Sequence, residues 1–145
     1  MTDVPSQSIQ SYVLDTSAII NLERSNHLKQ LPVFPGDWLI VPSIVARELN
    51  PNMSGTPAAT KNWLNGGKVA MFIDKEESLY RRLVLHPGVD DGEAQAIAMA
   101  RNRGATLVID EKKNGQVWKI AESHGIRCIS SAEFLNEIKP RLPGL

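Results

Sequence analysis

The chain has one cysteine, no excess of either charge and no long apolar run, and each shortage removes a class of protein. A lone Cys128 cannot close an internal disulfide, which excludes a cross-linked secreted scaffold. Its setting, Ile126-Arg127-Cys128-Ile129, reads as a buried strand position rather than a nucleophile. Sixteen basic residues balance sixteen acidic ones, so there is no global attraction for a polyanion, although a local patch can supply one. No apolar stretch approaches the roughly 20 residues that span a bilayer, and the N-terminus has no signal-peptide hydrophobic region. The expectation is a cytoplasmic protein with no membrane partner. Of the three histidines, His27, His86 and His124, none stands in a supporting motif, so a Ser-His-Asp hydrolase is not credible. There is no internal repeat and no low-complexity segment.

What is there fits one ordinary globular domain. At 145 residues, 42% hydrophobic and 22% charged, the chain can bury a sizeable core. Residues 1–10 are polar and read as a loose leader, 11–140 as a single domain and 141–145 as a tail. Strands are expected at Tyr12–Leu14, Trp38–Val41, Val69–Ile73, Thr106–Ile109 and Arg127–Ser130. Helices fall between them: the stretch of Ala18, Ile19, Ile20 and Leu22, a segment with Ile44, Val45, Glu48 and Leu49 that Ser43 would cap, and a short helix around Lys61–Leu64. A charged helix from Lys75 to Leu85, an alanine-rich one from Asp90 to Arg103 stopped by Gly104, and two more near Gln116–Ser123 and Ala132–Ile138 follow. Gly125 is a further candidate C-cap. Strands alternating with helices imply a parallel sheet covered on both faces. The run Asn50-Pro51-Asn52-Met53-Ser54-Gly55-Thr56-Pro57 is a loop that could flank a site as a flap.

Four acids mark the ends of these elements. Asp15 closes the first strand, Glu48 lies in the second helix, Glu93 opens the alanine-rich helix, and Asp110 closes Leu107-Val108-Ile109. Strand carboxyl ends of a parallel sheet share one edge, so these carboxylates can gather there. Such a cluster repels itself unless a hard cation fills it, and oxygen ligands suit Mg²⁺ or Mn²⁺. Each acid also has a plainer reading. Asp15 is a favoured N-cap residue, with Thr16 and Ser17 as alternative caps, and Asp110 and Glu111 face the same choice. Asp90 and Glu93 have capping-box spacing. Glu48 lies too far into its helix to cap it, so solvent exposure is its plain reading.

The arrangement resembles the PIN-domain family, the fold of VapC-type toxin ribonucleases, over Tyr12 to Ile138. The resemblance is carried by Val13-Leu14-Asp15-Thr16-Ser17, by Val41-Pro42-Ser43-Ile44-Val45-Ala46-Arg47-Glu48-Leu49, by Gly92-Glu93-Ala94-Gln95-Ala96-Ile97-Ala98-Met99-Ala100 and by Ala105-Thr106-Leu107-Val108-Ile109-Asp110-Glu111. It implies a three-layer α/β/α fold around a parallel sheet of four to five strands. It also implies a Mg²⁺- or Mn²⁺-dependent ribonuclease in which Asp15, Glu48, Glu93 and Asp110 hold the metal. Thr16 or Ser17 matches a family hydroxyl that supports the site, and Asp91 is a further outer contributor. Many members carry Thr or Ser shortly before the fourth acid, where this chain has Ile109, so Asp110 and Glu111 are both candidates there. The family also implies single-stranded or loop RNA as substrate, a small antitoxin protein as partner and a homodimer.

Residues 100–119 hold Arg101, Arg103, Lys112, Lys113 and Lys119 against Asp110 and Glu111, five cations to two acids and a local balance of +3. This segment is the candidate RNA contact, and a solvated mixed face is its plain reading. Trp118 beside Lys119 could stack a base, but Val117 and Ile120 around it favour a core position. Two other functions compete. A PIN-like module without activity, binding RNA or protein only, is favoured by the Ile109 departure and opposed by an acid at all four stations. A phosphoreceiver domain would want paired acids after its first strand and a lysine after its last, and neither is present.

Overall fold

The computed structural model describes residues 10–31, 38–49, 58–65, 69–70, 74–111 and 115–141. Within these the strands are β1 (Tyr12–Leu14), β2 (Leu39–Pro42), β3 (Val69–Ala70), β4 (Thr106–Val108) and β5 (Cys128–Ile129). The helices are α1 (Thr16–Arg24), α2 (Ser43–Glu48), α3 (Ala58–Asn65), α4 (Asp74–Leu83), α5 (Asp91–Arg103), α6 (Gln116–Ser123) and α7 (Ser131–Ile138). Short 3₁₀ turns follow α1 at Leu28–Gln30 and α7 at Lys139–Arg141. All expected strands are present: β1 has the expected bounds, β2 lies one residue further on, β3 is described at Val69–Ala70, and β4 and β5 are shorter than expected. The leader, the 50–57 loop, residues 71–73 of the third expected strand and most of the tail lie outside the described residues.

The five strands form one sheet in the order β3-β2-β1-β4-β5, every pair parallel. The chain steps outward from β1 to β3, then returns to the other side of β1 for β4 and β5. Strand order therefore reverses between β1 and β4, with Val13 opposite Leu107 and Leu14 opposite Val108. In open α/β sheets the ligand crevice forms at this reversal, at the carboxyl ends of the two strands.

Side chains alternate across the sheet as a strand's period of two requires. Tyr12, Leu14, Leu39, Val41, Val108 and Ile129 point to one face, where α1, α3 and α7 cover them through Ile19, Leu22, Trp63 and Phe134. Val13, Ile40, Leu107 and Ile109 point to the other, under α4, α5 and α6. The result is the expected α/β/α sandwich. Tyr12 joins the first core edge-on to Phe134, with ring centroids 5.0 Å apart.

Helix α5 owes its place to small side chains. From Gly92 to Ala100 all residues except Glu93 are buried, so the helix is enclosed by α2, α4 and the sheet. Alanines at 94, 96, 98 and 100 allow that close approach. Gly104 ends it at φ 64°, and the N–H of Ala105 reaches back to Ala100 O at 2.9 Å, closing a Schellman-type stop. Gly125, at φ 76°, performs the same service just after α6.

The start of α2 departs from expectation. Ser43 is its first helical residue, and the N-cap position is Pro42, whose apolar ring offers no capping hydrogen bond. A residue 51 positions later replaces it: fully buried Gln95 on α5 accepts from Ile44 N–H at 2.6 Å and donates to Ser43 Oγ at 2.7 Å. A tertiary contact thus satisfies a helix end that a local cap would have served.

Candidate active site

Asp15 leaves β1 at the reversal point. Its backbone N–H continues the sheet by donating to Val108 O at 3.0 Å, which ties it to the end of β4. Its side chain caps α1, with Oδ2 accepting from Ser17 N–H at 3.4 Å and from the Ser17 hydroxyl at 3.1 Å. The carboxyl is buried, at 4% exposure.

Asp110 stands across the crevice. Its backbone N–H donates to Ser17 Oγ at 3.0 Å, so one hydroxyl donates to the first acid and accepts from the backbone of the other. Asn21 Nδ2 donates to Asp110 Oδ2 at 2.7 Å, and the Ser131 N–H donates to Oδ1 at 2.8 Å. Both oxygens are thereby oriented by neighbours from α1 and α7. Glu111 is turned elsewhere, its Oε2 accepting from Trp118 N–H at 2.9 Å in the first turn of α6, whose N-cap is Gly115. The two neighbouring acids therefore differ, Asp110 being held by the crevice walls and Glu111 serving a helix end.

Glu93 and Glu48 come to the same edge from helices. Asp90 and Glu93 form a complete capping box, Glu93 N–H to Asp90 Oδ1 at 2.8 Å and Asp90 N–H to Glu93 Oε1 at 2.9 Å. Glu48, exposed, accepts from Thr16 Oγ1 at 2.6 Å, the residue next to Asp15. Its carboxylate lies against the backbone of Gly92, where a Cβ would stand 2.5 Å from Oε1. Glycine at this position lets the carboxylate reach the start of α5. Asp91, exposed beside it, bears electrostatically on Tyr80, which also feels Arg47.

The electrostatics couple Asp15 to Glu93, with Asp90 and Glu111 close by. Burial raises the Asp15 carboxyl to about 6 against the pull of the Ser17 hydrogen bonds, and the charge of Asp90 adds to the rise. Burial likewise raises Glu93 to about 7, with Asp90, Asp15 and Glu111 contributing. Among the described residues no Lys, Arg or His forms an ion pair with any of the four acids. As the side chains are placed, no three of the described His, Cys, Asp and Glu residues form a group that would hold a metal ion. The donor chemistry nonetheless fits a hard divalent cation: the set is entirely carboxylate oxygen, and its two raised acids await a positive charge.

Two of the expected RNA contacts lie away from the acids. Arg101 and Arg103 occupy the last turn of α5, whereas Glu93 occupies its first, roughly 12 Å away along the axis at 1.5 Å per residue. Arg103 is moreover committed to Glu76, which is fully buried: its Nε donates to Oε2 at 2.7 Å and its Nη2 to Oε1 at 3.0 Å, while Asn102 adds a third bond. That fork ties α5 to α4 and gives Arg103 a structural role. Lys119 is exposed on α6, and Lys112 and Lys113 lie outside the described residues. Trp118 is buried, as its apolar neighbours imply. Cys128 lies in β5 with its thiol pushed up to about 12 by burial, which keeps it protonated and inert.

Sequence reasoning missed Asn21, Gln95 and Ser131, which orient the acids or the helices that carry them. None has a local signature, because each acts on a partner at least 21 positions away.

No curated protein matches the chain in sequence. The fold is similar to the crystal structure of PAE2754 from Pyrobaculum aerophilum, at a TM-score of 0.59 and 17% identity over 90% of this chain and 98% of the other. A sequence profile described as a PIN domain matches residues 11–141. The chain belongs to the PIN-domain family.

Proposed function

We propose that this protein is a Mg²⁺- or Mn²⁺-dependent endoribonuclease that cuts single-stranded or loop RNA. Members of its family are generally nucleases, and the proposal narrows that activity to a substrate and a cofactor. The observation that carries it is the pairing of Asp15 and Asp110 across the β1–β4 crevice through one Ser17 hydroxyl, at the point where strand order reverses.

Asp15, Glu48, Glu93 and Asp110 are the residues that would hold the metal. When bound, such ions supply hydroxide from coordinated water and offset charge on the scissile phosphate. The chain's own residues prepare the acids for this. Ser17 fixes the Asp15 carboxyl, Asn21 and Ser131 aim Asp110, and Thr16 holds Glu48 beside Asp15. Burial raises Asp15 to about 6 and Glu93 to about 7, so both would hold protons under mildly acidic conditions, and a bound cation would lower both. The role of toxin, with a small antitoxin and a homodimeric state, is the biological setting that the family resemblance favours.

A second reading, a catalytically inactive RNA- or protein-binding module, is favoured by one observation. Asp15, Glu93 and Glu111 all serve helix ends, and the described acids do not form a ready metal cage. The test is cleavage of pooled single-stranded RNA with Mg²⁺, Mn²⁺ or EDTA, beside an Asp15→Asn variant that keeps the cap. Metal-dependent cutting that the variant lacks supports the nuclease. Binding of the pool with no cutting in either metal favours the module.

A further inference from the structure

The far end of α5 carries a feature that the acidic crevice does not use. Between α4 and α5 lies an open cavity of about 340 Å³ lined by Lys75, Leu79, Arg82, Ala98, Arg101 and Asn102. The lining positions follow helix geometry: 75, 79 and 82 make one stripe of α4, and 98, 101 and 102 make the facing stripe of α5. Leu79 and Ala98 are buried and form the floor, while Lys75, Arg82 and Arg101 stand exposed around it. A second depression of about 250 Å³ shares Arg101 and continues past His124 to Arg127.

The positive charge here is not cancelled. No described carboxylate pairs with Lys75, Arg82 or Arg101. Among the described side chains, the nearby acids of α4 are otherwise engaged, Glu76 with Arg103 and Asn102, and Glu77 with Arg81 at 3.6 Å. Arg127 is paired with Glu137, so the track's charge is concentrated at its α4–α5 end. Arg101 contacts His124 Nδ1 at 2.9 Å instead of an acid. Burial first, then Arg101, Arg82 and His86, lower the His124 pKa, as expected where cations converge. Helix dipoles account for Arg82 and Arg101, which occupy last turns. They do not account for Lys75, one residue into α4, where a cation is disfavoured.

We propose that this trough binds the phosphate backbone of single-stranded RNA, outside the cutting site. The identity of the polyanion rests on the ribonuclease reading; the cationic track itself does not. Two depressions joined at Arg101 suit an extended chain of phosphates better than one compact anion, and cation-lined grooves that follow a backbone are the usual means of holding single strands. The axial span from Arg101 to Glu93 along α5 is roughly 12 Å, so occupying both the trough and the acidic edge would take a strand long enough to bridge it. Charge in the trough then favours longer RNA over short fragments.

The test is fluorescence anisotropy of a labelled single-stranded RNA with the full chain in EDTA, across a salt series. The variants are Lys75→Glu with Arg82→Glu and, as a charge-matched control on α1 and the following turn, Arg24→Glu with Lys29→Glu. The trough variant is expected to bind at least about tenfold more weakly at low salt, with the salt slope reduced by about 1 to 2. The control should bind as wild type does. A milder Lys75→Gln and Arg82→Gln pair, with melting followed in parallel, should give an intermediate loss. Unchanged affinity in the trough variant, or an equal loss in the control, overturns the proposal. EDTA stops metal chemistry during the binding measurement, so wild type that binds through the trough there but does not cut in a parallel assay with Mg²⁺ or Mn²⁺ defeats the nuclease reading and leaves the trough standing. Wild type that cuts while the trough variant binds normally does the reverse.

Discussion

Ser17 Oγ lies 3.0 Å from the backbone nitrogen of Asp110, a residue 93 positions later, and this bond ties the start of α1 to the end of β4. The same oxygen donates to Asp15, so the separation of the two acids is set by one small hydroxyl. Ser17→Ala should cost about 1–3 kcal/mol, because the Asp110 N–H loses its partner in a part-buried setting. Cleavage should fall by at least about tenfold, as for other outer partners of metal ligands. Denaturant unfolding and RNA cleavage measured side by side check this; an unchanged rate would remove Ser17 from the site.

The raised acids make metal-free stability fall with increasing pH. Asp15 and Glu93 titrate higher folded than unfolded, so the folded chain binds more protons between about pH 4 and 7. Their favourable contribution is complete below about pH 4 and is lost as pH rises through about 6 and then 7. For Asp15 the loss is roughly 3 kcal/mol by linkage, and less for the half-exposed Glu93. In Mn²⁺ the charged acids gain a partner, so the rise in Tm on adding metal should grow between about pH 5 and 8. A metal effect independent of pH would count against these two acids as ligands.

Glu93→Gln separates its two jobs. Glutamine can still accept from the Asp90 N–H, so the capping box survives and Tm should hold or rise as a crowded charge is removed. Cleavage should drop by at least about 100-fold if the carboxylate holds metal. Equal activity in the two proteins would leave Glu93 a cap and nothing more.

Arg103→Met tests the structural assignment of that arginine. It leaves the buried Glu76 without its cation and should cost about 3–5 kcal/mol, read by urea unfolding. RNA affinity of the folded protein should stay within about twofold. A large loss of affinity with unchanged stability would restore the RNA-contact role.

The strands, the sandwich and the four acidic stations were legible because their signals are local: Tyr12–Leu14 ahead of Asp15, Asp90 three residues before Glu93, Gly104 after the alanine run. What was not legible depends on partners distant in sequence. Gln95 looks like an ordinary polar position in α5 until the fold lays it against the start of α2. Asp110 and Glu111 are equivalent as neighbours in sequence, and only Asn21, Ser131 and Trp118 tell them apart. The cluster from Arg101 to Lys119 divides because it spans β4: Arg101 and Arg103 precede the strand's amino end and Asp110 follows its carboxyl end. Proximity in sequence there means opposite edges of the sheet.

The nuclease reading stands or falls on whether the Asp15 carboxylate in the β1–β4 crevice binds metal. Mn²⁺ titration followed by electron paramagnetic resonance, at about pH 7.5 with wild type and Asp15→Asn, decides it. Saturable Mn²⁺ binding by wild type is expected, weakened at least about tenfold in the variant while its Tm is kept. Equal Mn²⁺ binding by both folded proteins would contradict it.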